Sequence, residues 1–330
     1  RFFAERESIA LFARHFGGAL DLRRNNPRVV PEAHELAHIV HGHCGLPSEG
    51  IIDEAASPYP PFEDFETRDL TAEGVPALIR IERGRIRHRE VFGPMRLQYG
   101  FFKLTARHAN YLIALQPSTH EREAAVAGAV GYIRDRVEHS VRVFELIAPN
   151  DRAIRFLLER LLERCRNEFG TQYVEIDVSA HAPRMQRTLV ELGFLPVAYL
   201  PAMVFHRVER LDVIKMARLL IPPRLGEMQL TPGMGQIAEV VMRSFRRQAV
   251  LPEVADALHH LHILRGLSRE QSLRVASACA VSRFADGEVL FHEGDEAEDV
   301  FVLLAGEVGV THGPRQRTVG RVGVGESLGE

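Results

Sequence analysis

The 330-residue chain has no tryptophan, only three cysteines and, among 41 basic residues, just two lysines, Lys103 and Lys215. Cys44, Cys165 and Cys279 are far apart and odd in number. That excludes a disulfide framework and fits free thiols in a reducing, cytoplasmic setting. No apolar run approaches the ~20 residues that span a bilayer, so no membrane contact is expected. Neither sign of charge is in excess: 41 basic against 44 acidic residues leaves −3. The balance excludes a chain-wide basic footprint for nucleic acid and a long disordered charged tail. The near-complete use of arginine for lysine reads as coding bias.

What is present is an ordinary globular composition, 45% hydrophobic and 26% charged, in a length that suits about two domains. The chain starts Arg1-Phe2-Phe3 and stops at Ser327-Leu328-Gly329-Glu330. The expectation is a fragment with an incomplete domain at each end.

Residues 1–56 read as a helical segment that closes an upstream domain. Ile9, Leu11, Phe12 and Phe16 recur at helical spacing, and a second helix over 31–44 is opened by Pro31 and stopped by Gly45. The proline cluster Ser57-Pro58-Tyr59-Pro60-Pro61-Phe62 marks a boundary. Residues 57–221 then alternate strands and helices. Strands are predicted at 65–70, 110–115, 126–133, 141–147 and 173–178, with a turn into a helix at 71–74. Helices are predicted at 152–168 and 182–192, and Phe194–Phe205 reads as a strand pair. The order defines an α/β unit with a mixed sheet. Residues 222–260 read as a connector with helices near 235–246 and 252–260. From residue 261 a helix opens at Ser268, and the texture then becomes β-rich. Tight turns at Gly287, Gly294 and Gly306 predict a small β-roll or barrel.

His34-Glu35-Leu36-Ala37-His38 fits H-E-x-x-H, in which two histidines on one helix face hold zinc and the glutamate acts as base. No third ligand is evident, so packing is the plainer reading and a zinc hydrolase the weakest alternative.

Two resemblances carry the functional expectation. Gly287, Glu288, Gly294, Asp295, Gly306, Val308 and Val310 resemble the cyclic-nucleotide-binding domain family over 261–330. The resemblance implies cAMP or cGMP as regulatory ligand. It also implies that Gly329 lets the backbone approach the nucleotide and that Glu330 binds the ribose hydroxyl; the family's phosphate-binding arginine would follow residue 330. The strand and helix order of 62–207, ending in Glu191-Leu192-Gly193-Phe194, resembles the GCN5-related N-acetyltransferase (GNAT) family. That resemblance implies an acyltransferase using acetyl-CoA or another acyl-CoA. The cofactor would lie against Ile147, Asn150, Arg152 and Ala153, the catalytic candidates are Glu145 and Tyr199, and the acceptor is a small molecule or a protein. The family's phosphate-cradling glycines fall on Arg152 and Ile154. A non-enzymatic signalling protein with a degenerate GNAT fold is therefore the alternative.

Overall fold

The computed structural model describes residues 18–62, 64–70, 90–91, 109–117, 125–149, 151–206, 208–221, 230–258, 261, 264, 266–292, 294–295, 299–313 and 317–329. The helical spacing at Ile9–Phe16, the turn at 71–74, Asn150 and Glu330 lie outside the described residues. The chain divides into two compact units, 1–242 and 243–330.

The first unit is built on a seven-stranded sheet. Its strands are β3 (Glu66–Leu70), β4 (Ala109–Leu115), β5 (Val126–Asp135), β6 (Ser140–Ile147), β7 (Tyr173–Ser179), β8 (Leu195–His206) and β9 (Glu209–Leu219). The order across the sheet is β3-β4-β5-β6-β7-β9-β8. Every pairing is antiparallel except β6 with β7. A parallel pair needs a crossover. Here it is the helix α2 (Asp151–Asn167). Its spacing predicts an apolar stripe, and Ala153, Ile154, Leu157, Leu158, Leu161, Leu162 and Cys165 are all buried. Gly128 on β5 lets this helix approach: a Cβ there would lie 3.0 Å from the Ile147 carbonyl oxygen and 3.1 Å from the Ala153 Cβ. A second helix, α3 (Pro183–Glu191), follows β7.

Phe194–Phe205 is not a strand pair. It is one long strand, β8, and its partner is β9, which the sequence reading did not recognise. The register slips between Pro196 and Ala198 and between Leu200 and Val204, and Ala202 has φ 50°. These irregularities imitate a turn. In β9 the buried carboxylate of Asp212 interrupts the apolar alternation that marks a strand.

The N-terminal segment shares the core of this sheet. Helix α1 (Pro31–Cys44) begins at Pro31 and ends at Gly45, which takes φ 66°. β1 (Arg28–Val29) pairs in parallel with β2 (Ile52–Asp53), and the Arg28 amide donates to the Ala180 carbonyl at 2.7 Å. Val29, Val30, Ala33, Leu36 and Ala37 belong to one apolar cluster with Leu157, Ile176, Ile214 and Met216.

The two connector helices are one, α4 (Pro232–Leu258), which runs on through Pro252. A proline inside a helix removes one backbone bond. The residues beyond it compensate in the second unit, where Val254, Ala255 and Leu258 bury against Leu261 and Ala276. Helix α5 (Arg269–Ala278) opens at Ser268 with a capping box to Gln271, worth about 1 kcal/mol. The β-rich part has two ladders: β10 (Phe301–Val302) with β13 (Ser327–Leu328), and β11 (Val308–His312) with β12 (Arg317–Val322). Among the described residues they do not close into a barrel.

Candidate functional site

The parallel register of β6 and β7 covers four pairs, Ser140↔Tyr173 to Val143↔Ile176. Beyond it the two strands part. The departure has a local cause. Gly131 pairs with Glu145 while Tyr132 pairs with Val143, which leaves Phe144 as an extra residue in β6. Such a bulge bends its strand and interrupts the ladder. Residues 144–147 of β6 and 177–179 of β7 therefore flank a cleft, in which Val91 bridges Val178 and the Ser179 amide donates to the Glu90 carbonyl.

One wall of this cleft carries Glu145. The Tyr111 hydroxyl donates to its Oε2 at 2.8 Å, and the Tyr111 ring meets Phe144 edge to face at 5.5 Å. Gly131 makes this possible: a Cβ would lie 2.7 Å from the Phe144 ring and 2.8 Å from Tyr111 Cε1. The sequence singled out Glu145 but not Tyr111, which reaches it across an intervening strand. Below the parting an ionic ladder crosses three strands and reaches the other wall at Asp177. Arg142 on β6 pairs with the buried Glu175 on β7. Lys215 on β9 sits between Asp177 at 2.6 Å and Glu175 at 3.8 Å.

The cleft's mouth lies at the first turn of α2, where the resemblance places a coenzyme diphosphate. Ala153 is wholly buried, Ile154 is in the core, and Ile147 is 2% exposed. Arg152 is exposed, and its guanidinium lies 5.0 Å above the Phe62 ring. Asp151 is bound by Arg184 of α3 at 2.7 Å. A carboxylate at this helix start interacts favourably with the dipole, and it opposes a second anion there. The start of α2 is thus less suited to a second anion.

Tyr199 is elsewhere. It lies on β8, separated from β7 by β9, and donates to Asp212 Oδ2 at 2.5 Å. Arg23 binds the same carboxylate through Nε at 2.8 Å and Nη2 at 2.5 Å. The Ala202 amide donates to Asp212 Oδ1 at 2.8 Å, and His41 Nε2 lies 3.8 Å from Oδ2. Burial pushes the Asp212 carboxyl up, but the nearby His41 and hydrogen bonds from Arg23, Tyr199 and the Ala202 amide overcome it and hold it well below the usual carboxylate range. Burial, then the neighbouring Asp212 charge, pushes the Tyr199 hydroxyl far up.

His34 and His38 share a face of α1, with their Nε2 atoms 3.3 Å apart. Burial and the neighbouring His34 lower the His38 pKa. Among the described residues no group of three or more His, Cys, Asp or Glu side chains is placed to hold a metal.

In the second unit the predicted turns are present. Gly287, Gly294 and Gly306 have φ 78°, 96° and 91°. Two of these turns, with a third at Gly325, repeat one device. The Glu288, Asp295 and Glu326 amides donate back to Ala285, His292 and Gly323. Their carboxylates accept from the amides of those same residues at 2.6, 2.8 and 2.7 Å. Gly329 has φ 89°, and a Cβ there would lie 2.7 Å from the Asp299 carbonyl oxygen. Its lack of a side chain thus already serves a contact within the chain.

The first unit is therefore a mixed α/β domain with a parting between its parallel strands. The second is a small-strand region, and residues 281–330 match the family model of the cyclic nucleotide-binding domain. No curated protein matches the chain. Among solved structures, the chain is similar to mutant forms of the spermidine/spermine N-acetyltransferase SpeG from Vibrio cholerae. There the identity is 15%, 47% of this chain and 94% of that one are covered, and the TM-score is 0.37. It is also similar to a spermidine N-acetyltransferase from Vibrio cholerae in complex with CoA and spermine, at 15% identity over 47% of this chain and 95% of that one, with a TM-score of 0.36.

Proposed function

We propose that the first unit is an N-acyltransferase using acetyl-CoA or another acyl-CoA, and that a cyclic-nucleotide-binding domain regulates it. The observation that carries this reading is the parting of β6 from β7 at the Phe144 bulge. It makes a strand-walled slot that would take a linear thioester arm once residues 90–91 leave β7, with backbone groups of residues 145–147 along one side. Glu145 is the proposed proton acceptor. The acceptor amine attacks the thioester carbonyl, the carbon–sulfur bond breaks, and the thiolate leaves as CoA. The amine's proton passes to Glu145, held in place by Tyr111. Arg152, exposed at the start of α2, is the proposed phosphate contact. Binding of cAMP or cGMP at Gly329 and Glu330 would bias the transferase only by binding its two conformations unequally.

Protection against thermal unfolding by acetyl-CoA, followed by acyl transfer to small amines, tests the reading. Glu145→Gln is expected to lower kcat by about 10²-fold or more with a smaller effect on KM. Tyr199→Phe separates a catalytic from a structural role for that residue: a loss of stability with kcat intact assigns it to packing. Absence of any acetyl-CoA binding would overturn the enzyme reading.

The alternative is a signalling protein with a degenerate acyltransferase fold. The Asp151–Arg184 pair favours it, because that pair occupies the expected diphosphate seat. Cyclic-nucleotide binding without acyl-CoA binding is its signature.

A further inference from the structure

The cleft's mouth is lined by the chain's own residues from two separate segments. Residues 57–62 cross from α3 to α2. The Tyr59 amide donates to the buried Thr188 Oγ1 of α3 at 2.9 Å. The Arg184 guanidinium stacks on the Tyr59 ring at 4.1 Å while holding Asp151, the first residue of α2. Three residues on, the Phe62 ring lies under Arg152. From this position the Tyr59 hydroxyl donates to the Glu90 carboxylate, 3.0 Å from each oxygen. The Glu90 carbonyl accepts from the Ser179 amide at 2.8 Å, and Val91 bridges Val178. Glu90 and Val91 thus make a single antiparallel bridge to β7 beyond the point where β6 has left it.

Both features that would receive the ligand are affected. The free edge of β7 is paired with residues 90–91, and the start of α2 is covered by Tyr59 and Phe62. We propose that residues 57–62 are an autoinhibitory strap, which holds Glu90–Val91 in the cleft and must lift before acyl-CoA binds. The proposal rests on the acyl-CoA reading of the cleft. The strap is suited to release. Pro58, Pro60 and Pro61 stiffen it, it forms no regular secondary structure, and its anchors at Thr188, Arg184, Arg152 and Glu90 are side chains. The Tyr59 ring, 5% exposed, and the Phe62 ring also pack on the sheet's core, so this stiff segment leaves as a unit and exposes both rings when it does.

The test uses the full chain and acetyl-CoA as the probe. Tyr59→Phe removes the bond to Glu90, and Thr188→Val removes the acceptor of the Tyr59 amide. The double variant is expected to bind acetyl-CoA about tenfold more tightly, as follows if the closed state holds about nine-tenths of the wild-type population. Should the double variant unfold, Tyr59→Phe alone is expected to give about a threefold gain. In wild type, saturating acetyl-CoA is expected to speed hydrogen exchange at the Tyr59 amide. Equal affinity of wild type and variant, or undiminished Tyr59 protection with acetyl-CoA bound, overturns the strap and leaves the acyl-CoA reading standing. If neither form binds acetyl-CoA, both readings fall.

Discussion

Arg23 grips Asp212 through two nitrogens, Nε at 2.8 Å from Oδ1 and Nη2 at 2.5 Å from Oδ2, across 189 positions of sequence. The pair fastens the N-terminal segment to β9. The Asp212 side chain is 1% exposed, so its charge depends wholly on these partners. Asp212→Asn leaves the Arg23 guanidinium without its counter-charge, and the expected loss is about 3–5 kcal/mol. The pH dependence follows from the direction of the shift. The folded pKa lies below the unfolded value, so Asp212 stabilises the fold above about pH 4. That contribution is lost as pH falls from there toward the folded pKa. Urea unfolding at pH 7 and pH 3 checks both points: the variant should be weaker at pH 7 and lose less between the two pH values. A cost below about 1 kcal/mol at pH 7 would mean that the pair is not desolvated.

Gly131 carries the geometry of the cleft wall. An alanine Cβ would overlap the Phe144 ring at 2.7 Å and Tyr111 at 2.8 Å. Both rings are buried, so neither moves away freely. Gly131→Ala is expected to cost about 1–3 kcal/mol and to displace the Tyr111 hydroxyl from Glu145. On the proposed function, kcat falls further than the stability loss explains. Thermal unfolding measured alongside acyl transfer separates the two effects, and unchanged values of both would show that the rings repack without consequence.

The helices and most strands were legible because their apolar spacing is strong, as in α2, where the predicted stripe is the buried face. Two kinds of feature were hidden. β9 is masked by its own charges, since the buried Asp212 and the half-buried Lys215 break the pattern that marks a strand. The second connector helix is predicted to start near residue 252, yet α4 runs on through Pro252, with Val254, Ala255 and Leu258 buried beyond it. The candidate site was half legible. Glu145 stands out as a carboxylate in an apolar strand. Tyr111, Tyr59 and Glu90 do not, because long-range pairing alone brings them to the cleft.

Lys215 is one of two lysines in a chain that otherwise uses arginine. The structure gives that position a steric reason. Its Nζ fits between Asp177 and Glu175, while Arg142 already holds Glu175 from the opposite side. A guanidinium is planar and wider than an ammonium and does not replace it without shifting one carboxylate. Lys215→Arg is expected to cost about 1–2 kcal/mol, within the range of overpacked sites. Lys215→Met is expected to cost more, about 2–4 kcal/mol, because Glu175 and Asp177 then share less compensating charge. Equilibrium unfolding ranks the three proteins; a Lys215→Arg variant as stable as wild type would show that no such constraint exists.

Gly329 separates a structural from a ligand-binding demand in the second unit. Its φ of 89° alone strains any side chain, and the nearest atom to an added Cβ is a backbone oxygen, that of Asp299 at 2.7 Å. Backbone does not yield as a flexible side chain does. Gly329→Ala should therefore loosen the β10–β13 ladder, in which Phe301 pairs with Leu328, at about 1–3 kcal/mol. The loss is expected without any nucleotide present, as faster hydrogen exchange at residues 301–302 and 327–328. A glycine needed only for nucleotide approach would leave exchange in the ligand-free protein unchanged and weaken cAMP or cGMP binding alone.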